Sequence, residues 1–489
     1  MNSEINNISS SPQAKEPKEM LTITWQECKW PLMFLLSMSM VGLQFPLGYL
    51  FLPVILIRSF KRNRYDLLIQ LTLFFGGYAL LGEEDLFVKP EDIGLILSLV
   101  GLIICKKNVV LRRISCAMLL YATTIFVLAM TSEELMVVQI RRMRTYMMFF
   151  YIFVPLMVFA DKEFKICVFF RKLFPYLLIL CWFYVIDGFI LSGYILLPNT
   201  YLWTEDNLAP KILSSVNNLI CDPFSGYFPR KYPQGLFIVT LCVFPILKYY
   251  KISWKQWAIF ILALFATRTM TIILGLILSV MIFQGNIKKV VRNAFIALLF
   301  LVLIYGIDVS TGGFLRVQST FDQFVALDVA QDEEDVSEFG SGRLAQAIPK
   351  FEVLYDLDRE WLGLGFLHPK LTKNPKFWIK NEFYSNIEYA EEVATNIEIG
   401  PLQVILDIGL IGLIIQFVFF ISLYFIIHKY RYANYYLTVL VANFLFGLGG
   451  FAGWHQVQGL LLIALSLSVV ILENKVINKR KNESCSYNI

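Results

Sequence analysis

The sequence predicts an all-α polytopic membrane protein with about 12–14 transmembrane helices and one large loop on the outer side. Apolar residues make up 57% of the 489 residues and charged residues only 17%, whereas soluble domains carry roughly 25% charged residues. The apolar residues are also grouped in runs of about 15–25, the length that crosses a hydrocarbon core. Soluble, fibrous, disordered and disulfide-scaffold classes are thereby excluded.

The N-terminal region, residues 1–30, is predicted to be a polar tail. Its first 20 residues contain no apolar core of the kind that a signal peptide requires. The run that follows, 33–57, has two interpretations. It crosses the membrane once, or Pro46, Gly48 and Pro53 break it into a hairpin that keeps both of its ends on one side. We favour the hairpin.

Basic residues in the connections predict which side each connection occupies. The apolar runs fall at 33–57, 66–82, 92–105, 114–130, 145–160, 173–197, 233–248, 255–267, 269–284, 292–307, 401–427, 434–450 and 456–472. Lysine and arginine are concentrated in alternate connections, around residues 58–64, 106–113, 162–172, 248–255, 288–292 and 429–431, and in the tail 473–489. The positive-inside rule makes these connections and the C-terminus cytoplasmic.

Two connections on the outer side are long, 198–232 and 308–400. The first interrupts an N-terminal bundle at 31–307, and the second precedes the C-terminal helices at 401–472. The 308–400 loop carries eight basic and 17 acidic residues, a net charge of −9. Within it, apolar residues at helical spacing predict an amphipathic helix from Gly342 to Leu357. A loop of this length in a compact protein usually has a functional role.

Isolated basic residues near the outer border are the main candidates for ligand binding. Arg268 stands in ALFATRTMTIILG, between two apolar runs with almost no polar loop. A guanidinium there is either an interfacial anchor or an anion ligand that faces a polar cavity. Arg230 and Lys231 precede the next run and have the same two interpretations. Arg343, at the start of the loop helix, is placed to bind a ligand or to pair with the neighbouring acidic residues.

Other polar residues give weaker indications. Asp187 lies late in an apolar run, where a carboxylate is by default a functional hypothesis. His455 falls in an outer turn beside Trp454 and is a candidate for proton handling. The sequence has no P-loop signature, which argues against ATP coupling within this chain. The eight cysteines show no metal-ligand or disulfide spacing, and a net charge of +5 does not indicate a nucleic-acid partner.

Three stretches resemble the O-antigen polymerases and O-antigen ligases of bacterial envelopes. Ser341–Phe366 is similar to the outer-loop segment of that family, with a Gly-Arg start and a closing G-x-G. Ile397–Ile414, which contains Gly-Leu-Ile-Gly, is similar to the helix after the loop. The TRTMTIILG stretch is similar to the Ser/Thr-Arg helix start of the family.

The resemblance implies a GT-C-type glycosyltransferase in the bacterial inner membrane that acts on the periplasmic face, without metal ion, nucleotide or other cofactor. Its donor is an oligosaccharide on undecaprenyl diphosphate, and its other partners are membrane lipids and a chain-length regulator. Arg268 and Arg343 match arginines of the family, so the resemblance implies that they stabilise the diphosphate, because fixed cations stabilise a developing oxyanion. Arg230 and Lys231 are implied in substrate binding.

One departure from the family bears on the general base. The ligases place His-Asn before the helix that follows the loop, whereas this chain has Ala394-Thr395-Asn396. Asn396 is therefore a candidate substrate ligand, as is His455. Glu398 is the nearest carboxylate and is a candidate base, with a solvated loop acid as the alternative. The leading interpretation is a polymerase of lipid-linked repeat units, with a ligase second. A flippase or transporter of lipid-linked sugars is the alternative from another class.

Overall fold

The structure is a computed structural model in which part of the chain is described. The described residues are 18–29, 32–33, 109–131, 143, 146–153, 156, 166–185, 244–266, 279, 282–283, 292, 295–296, 299, 302–303, 305–307, 309–310, 343–366, 399–448 and 457–486. Of these residues, 84% are helical. This agrees with the predicted all-α class.

Seven helices longer than two turns are described, together with a short 3-10 helix and two short strands. They follow one another as β1 (Glu19–Met20), α1 (Val109–Met130), a 3-10 helix (Met148–Ile152), α2 (Ile166–Val185), β2 (Tyr250–Lys251), α3 (Trp254–Ala266), α4 (Arg343–Asp356), α5 (Gly400–Ile427), α6 (Ala433–Leu448) and α7 (Val457–Ser486). Each of α1, α3, α5 and α6 coincides with an apolar run, whereas α7 starts in the run 456–472 and continues into the predicted basic tail as far as Ser486. The amphipathic helix predicted from Gly342 to Leu357 is confirmed as α4.

Among the described residues, α1 and α5 are long and apolar enough to cross a membrane. The two helices pack against each other, and Tyr121 of α1 stacks on Phe419 of α5 with ring centroids 4.5 Å apart. Their opposite faces are apolar as well, because Leu120 of α1 is 72% exposed and Phe425 of α5 is 64% exposed. A helix that is apolar on both its buried and its exposed faces is typical of a helix surrounded by lipid hydrocarbon.

Helix α7 lies at the centre of the packing. Every residue from Leu460 to Leu472 is buried, and the helix contacts α6 on one side and the 3-10 helix on another. The hydroxyls of Ser466 and Ser468 donate to the carbonyls of Ile463 and Leu465, so these buried polar groups are satisfied within the helix.

The N-terminal segment packs against one end of these helices. β1 pairs in parallel with β2, with Glu19 opposite Tyr250, and the N–H of Leu21 donates to the carbonyl of Lys251. Nearby, the N–H of Ile166 donates to a carboxylate oxygen of Glu473 on α7. The same end therefore gathers the N-terminal segment with three regions that the charge pattern predicts to be cytoplasmic.

Candidate functional site

Of the residues that the sequence analysis singled out, only Arg343 falls in the described part of the chain, where it begins α4. The others lie outside the described residues: Arg230, Lys231, Arg268, Asn396, Glu398, His455 and Asp187. Their proposed roles therefore stay predictions. What the structure does describe is the junction between the end of the 343–366 segment and helix α5.

Helix α5 is broken at Gly409, which has φ 73° and ψ 179°. An unbroken helix would join the Leu406 carbonyl to the Leu410 N–H and the Asp407 carbonyl to the Ile411 N–H. The break separates both pairs and leaves four backbone groups to be satisfied elsewhere. Within a membrane no water is at hand to satisfy them, so each would cost several kcal/mol if left bare.

The segment after α4 enters this break and satisfies all four groups. The N–H groups of Leu364 and Gly365 donate to the carbonyls of Leu406 and Asp407, at 2.8 and 3.0 Å. In return, the N–H groups of Leu410 and Ile411 donate to the carbonyls of Glu360 and Trp361, at 2.9 and 3.2 Å. We call residues 360–366 the inserted segment. Four hydrogen bonds to the backbone of this segment therefore take the place of two hydrogen bonds that an unbroken α5 would form within itself.

Two glycines make the close approach of the backbones possible. A Cβ at Gly363, which has φ 77°, would lie 2.6 Å from the Asp407 carbonyl oxygen and from the backbone nitrogens of Ile408 and Gly409. A Cβ at Gly409 would overlap the carbonyl of Trp361. Both residues also have a positive φ, which residues other than glycine rarely adopt. Gly363 and Gly409 are thus both needed for one shared contact.

A buried carboxylate lies beside the break. The hydroxyl of Tyr146 donates to Oδ2 of Asp407 at 2.7 Å, and Nε2 of Gln403 donates to Oδ1 at 2.8 Å. All three residues are buried. The ring of Phe366 lies 5.3 Å from the ring of Tyr146. Asp407 therefore joins α5 to residue 146 through its side chain and to the inserted segment through its backbone.

Arg359, which immediately precedes the inserted segment, contacts the end of α1. Nη1 of Arg359 donates to the carbonyl of Thr131, one residue beyond α1, at 3.4 Å. A cation at the C-terminus of a helix is favourable because the last carbonyls carry partial negative charge. In this part of the chain, Oε2 of Glu360 is buried and has no hydrogen-bond partner.

Helix α4 packs on the beginning of α5 through a small apolar cluster. Its buried members are Ala347, Val353, Leu354, Leu364 and Leu406. Lys350 of α4 is also fully buried, and desolvation lowers the pKa of its ammonium group to about 7. The described residues include no group of three or more His, Cys, Asp or Glu side chains that could hold a metal ion.

Asp407 and Gly409 were missed by the sequence analysis, although both carried a signal. Asp407 is the only charged residue in the apolar run 401–427, and a carboxylate in such a run is a functional hypothesis by default. Gly409 opens the Gly-Leu-Ile-Gly that was noted only as a family feature. Tyr146 carried no comparable signal.

Comparison with protein-family models, with curated proteins and with solved structures found no match to this chain. The resemblance to O-antigen polymerases and ligases therefore stays a hypothesis.

Proposed function

We propose that this protein is a multi-pass glycosyltransferase of the bacterial inner membrane that joins lipid-linked oligosaccharide repeats into O-antigen, capsular or related envelope polysaccharide. In this proposal the 308–400 loop is periplasmic and the C-terminus is cytoplasmic. The donor is a saccharide on undecaprenyl diphosphate, and the acceptor is the free end of a second lipid-linked saccharide.

The observation that carries the proposal is the inserted segment. It fixes one part of the long acidic loop in the break of a membrane-spanning helix, so that α4, which begins at Arg343, is held against the start of α5. A loop held in this way suits an enzyme that closes over a reaction at the membrane face. The same segment closes the stretch that resembles the loop of the polymerase family.

The proposed chemistry is the displacement of a lipid diphosphate by a sugar hydroxyl. The hydroxyl oxygen attacks the anomeric carbon, the bond from that carbon to the diphosphate oxygen breaks, and the hydroxyl proton passes to a base. Arg268 and Arg343 are proposed to neutralise the negative charge that grows on the diphosphate. Glu398 is the proposed base, and Arg230, Lys231, Asn396 and His455 are proposed to position the two sugars.

A flippase or transporter is the alternative that one observation favours. Transporters often contain broken membrane helices near a buried charged residue, and α5 is broken two residues after the buried Asp407. In transporters, however, the unwound backbone groups are free to bind ions, whereas here the four groups of the break are bonded to the inserted segment. This difference supports the enzyme.

Deletion of the gene, followed by analysis of envelope glycans, separates the proposed activities. Loss of a polymerase leaves a single repeat on the acceptor. A glycan attached to no acceptor would instead indicate a ligase, and repeats that accumulate on the cytoplasmic leaflet would indicate a flippase.

Substitution of Arg268 tests the proposed site. Arg268→Ala and Arg268→Lys are both expected to abolish chain growth, because a single ammonium group does not replace the two-point contact of a guanidinium with a phosphate. Arg113→Ala, at the opposite end of α1 from the inserted segment, is the matched control and should leave the chains unchanged. Polysaccharide chains of normal length from an Arg268→Ala protein that reaches the membrane would show that the proposed diphosphate role is wrong.

A further inference from the structure

The N-terminal segment forms a structured strap rather than a loose tail. We call residues 18–29 the strap. Besides the pairing of β1 with β2, Nζ of Lys18 donates to the carbonyl of Leu247 at 2.6 Å, and Nε2 of Gln256 donates to the carbonyl of Leu21 at 3.4 Å. Thr24 and Glu27 bond to each other's backbone and side chain, as in a capping box, at the start of a helical turn.

A salt bridge extends the strap to α2. Nη2 of Arg171 lies 3.6 Å from Oε1 of Glu27, and the Arg171 guanidinium also lies 6.0 Å from the ring centroid of Tyr250. The strap therefore crosses from the 247–256 region to the N-terminal half of α2. It lies flat against the end of the helices that the charge pattern predicts to be cytoplasmic.

The surface that the strap completes is both aromatic and basic. Trp25 of the strap is 71% exposed and Trp254, the first residue of α3, is 76% exposed. Among the described residues of the strap, β2 and the starts of α2 and α3, six basic side chains and two carboxylates are exposed: Lys18, Lys29, Arg171, Lys172, Lys251 and Lys255, and Glu19 and Glu27. Exposure of two tryptophan rings to water is unfavourable, whereas the head-group layer of a membrane favours tryptophan beside lysine and arginine.

The position of α3 places this surface at the depth of the head groups. The helix starts at Trp254 and continues into an apolar sequence, with Ile261 and Leu262 exposed about two turns later. Exposed aliphatic side chains suit the hydrocarbon layer, so Trp254 at the head of the same helix reaches its edge. Since the strap is bonded to the residues just before α3, Trp25 lies near the same level.

We propose that residues 18–29 form a membrane-surface strap that binds anionic phospholipid head groups, with the rings of Trp25 and Trp254 in the interfacial layer and the surrounding lysines and arginines on the phosphates. The occupant is a lipid surface because the cations outnumber the carboxylates and because the surface continues into a helix with an exposed aliphatic face. The proposal does not depend on the glycosyltransferase activity.

Tryptophan quenching in bilayers tests the strap. The full-length protein is reconstituted in phosphatidylcholine mixed with phosphatidylglycerol, one of which carries bromine near the top of its acyl chains. The contribution of Trp25 to the tryptophan fluorescence, called its share, is the difference in fluorescence between the wild type and Trp25→Phe. We expect brominated phosphatidylglycerol to quench this share more strongly than brominated phosphatidylcholine does. Trp182 of α2, which is exposed away from the basic surface, is the control, and its share should show no preference between the two lipids.

Removal of cations tests the role of charge. Lys29→Gln and Lys255→Gln are each expected to reduce the preference for phosphatidylglycerol over phosphatidylcholine, measured at Trp25, about fivefold. A lysine near an anionic surface contributes to lipid affinity by about that factor. Lys429→Gln removes an exposed cation from the turn after α5 and is the control, which should have a much smaller effect at Trp25.

Two results would overturn the proposal. The first is a Trp25 share that neither brominated lipid quenches but that iodide in the aqueous phase does, which would mean that the strap faces water or a protein partner. The second is an unchanged lipid preference in the Lys29→Gln and Lys255→Gln variants, which would mean that these cations do not bind the head groups.

Discussion

At the scale of single residues, the hydrogen-bonded carboxylate of Asp407 is the most informative feature of the described chain. A lone charge in an apolar run is visible in the sequence. Its partner Tyr146 is 261 residues away along the chain, and no local pattern predicts such a pairing. The sequence could therefore indicate that Asp407 needs partners, but the structure was required to identify Tyr146 and the inserted segment.

Tyr146→Phe tests the strength of this contact. Because both carboxyl oxygens of Asp407 accept hydrogen bonds, loss of the Tyr146 hydroxyl is expected to lower the free energy of unfolding by about 1.5–3 kcal/mol. Tyr121→Phe, which removes the hydroxyl that accepts from the amide of Gln416, is the matched neutral control and should cost about 1 kcal/mol. Thermal unfolding in detergent measures both, and equal losses would contradict the prediction.

Lys350 gives a prediction about pH. Burial lowers the pKa of its ammonium group from 10.5 to about 7 in the folded protein. Between these two values the unfolded chain binds a proton that the folded chain has released, so the folded state gains stability as pH rises through this window, by up to about 1.4 kcal/mol per pH unit. Below pH 7 the full cost of burying the charge is present.

Lys350→Met separates this contribution from other titrations. The variant is expected to be more stable than the wild type below pH 7, and the advantage should shrink towards pH 10.5. Lys350→Arg stays charged throughout, so it should lack the gain in stability that the wild type shows as pH rises above 7. Unfolding curves measured at several pH values supply the comparison, and a difference that does not vary with pH would refute the assignment.

At the scale of elements, the sequence predicted helices well and their interruption poorly. α1, α5, α6 and α7 follow from apolar runs, and α4 follows from its apolar spacing. The break in α5 did not follow, because a glycine inside an apolar helical pattern is compatible with an unbroken helix. What fixes the break is the inserted segment, whose fit depends on Gly363 and Gly409 meeting in space.

Gly409→Ala tests whether the break needs its glycine. The new Cβ would overlap the Trp361 carbonyl at a φ that alanine resists, so the inserted segment should leave the break and the protein should lose at least about 3 kcal/mol of stability. Gly306, whose Cβ would meet nothing within 4 Å, is the control. Gly306→Ala should cost nothing and gain up to about 1 kcal/mol, as for a glycine in a helix. Thermal unfolding together with limited proteolysis of the loop measures both effects, and equal stability of the two variants would contradict the proposed fit.

At the scale of the whole molecule, the described residues place the strap and the region of α7 around Glu473 at one end of the helices. The strap contacts Leu247 and Lys251, and Glu473 of α7 contacts the beginning of α2. The charge pattern predicts this end to be cytoplasmic, and on that prediction the hairpin is the expected interpretation of the run 33–57. The composition predicted a membrane protein, but it left open whether the run 33–57 is a single crossing or a hairpin.

Reporter fusions test this arrangement. A fluorescent protein that folds only in the cytoplasm should be active when joined before residue 18 and also after residue 486. Alkaline phosphatase, which is active only outside the cytoplasm, should be active when joined within the 308–400 loop. Activity of the phosphatase at residue 18 would show that the chain begins outside and that 33–57 crosses once.

The inserted segment also has a consequence for the order in which the protein is made. Residues 360–366 leave the ribosome before residues 406–411, so the loop is already synthesised when α5 enters the bilayer. Until the two meet, the four backbone groups of α5 can be satisfied only by an unbroken helix, because the bilayer offers no other partners. We therefore expect the break at Gly409 to form only after α5 has entered the bilayer, when the loop that precedes it inserts.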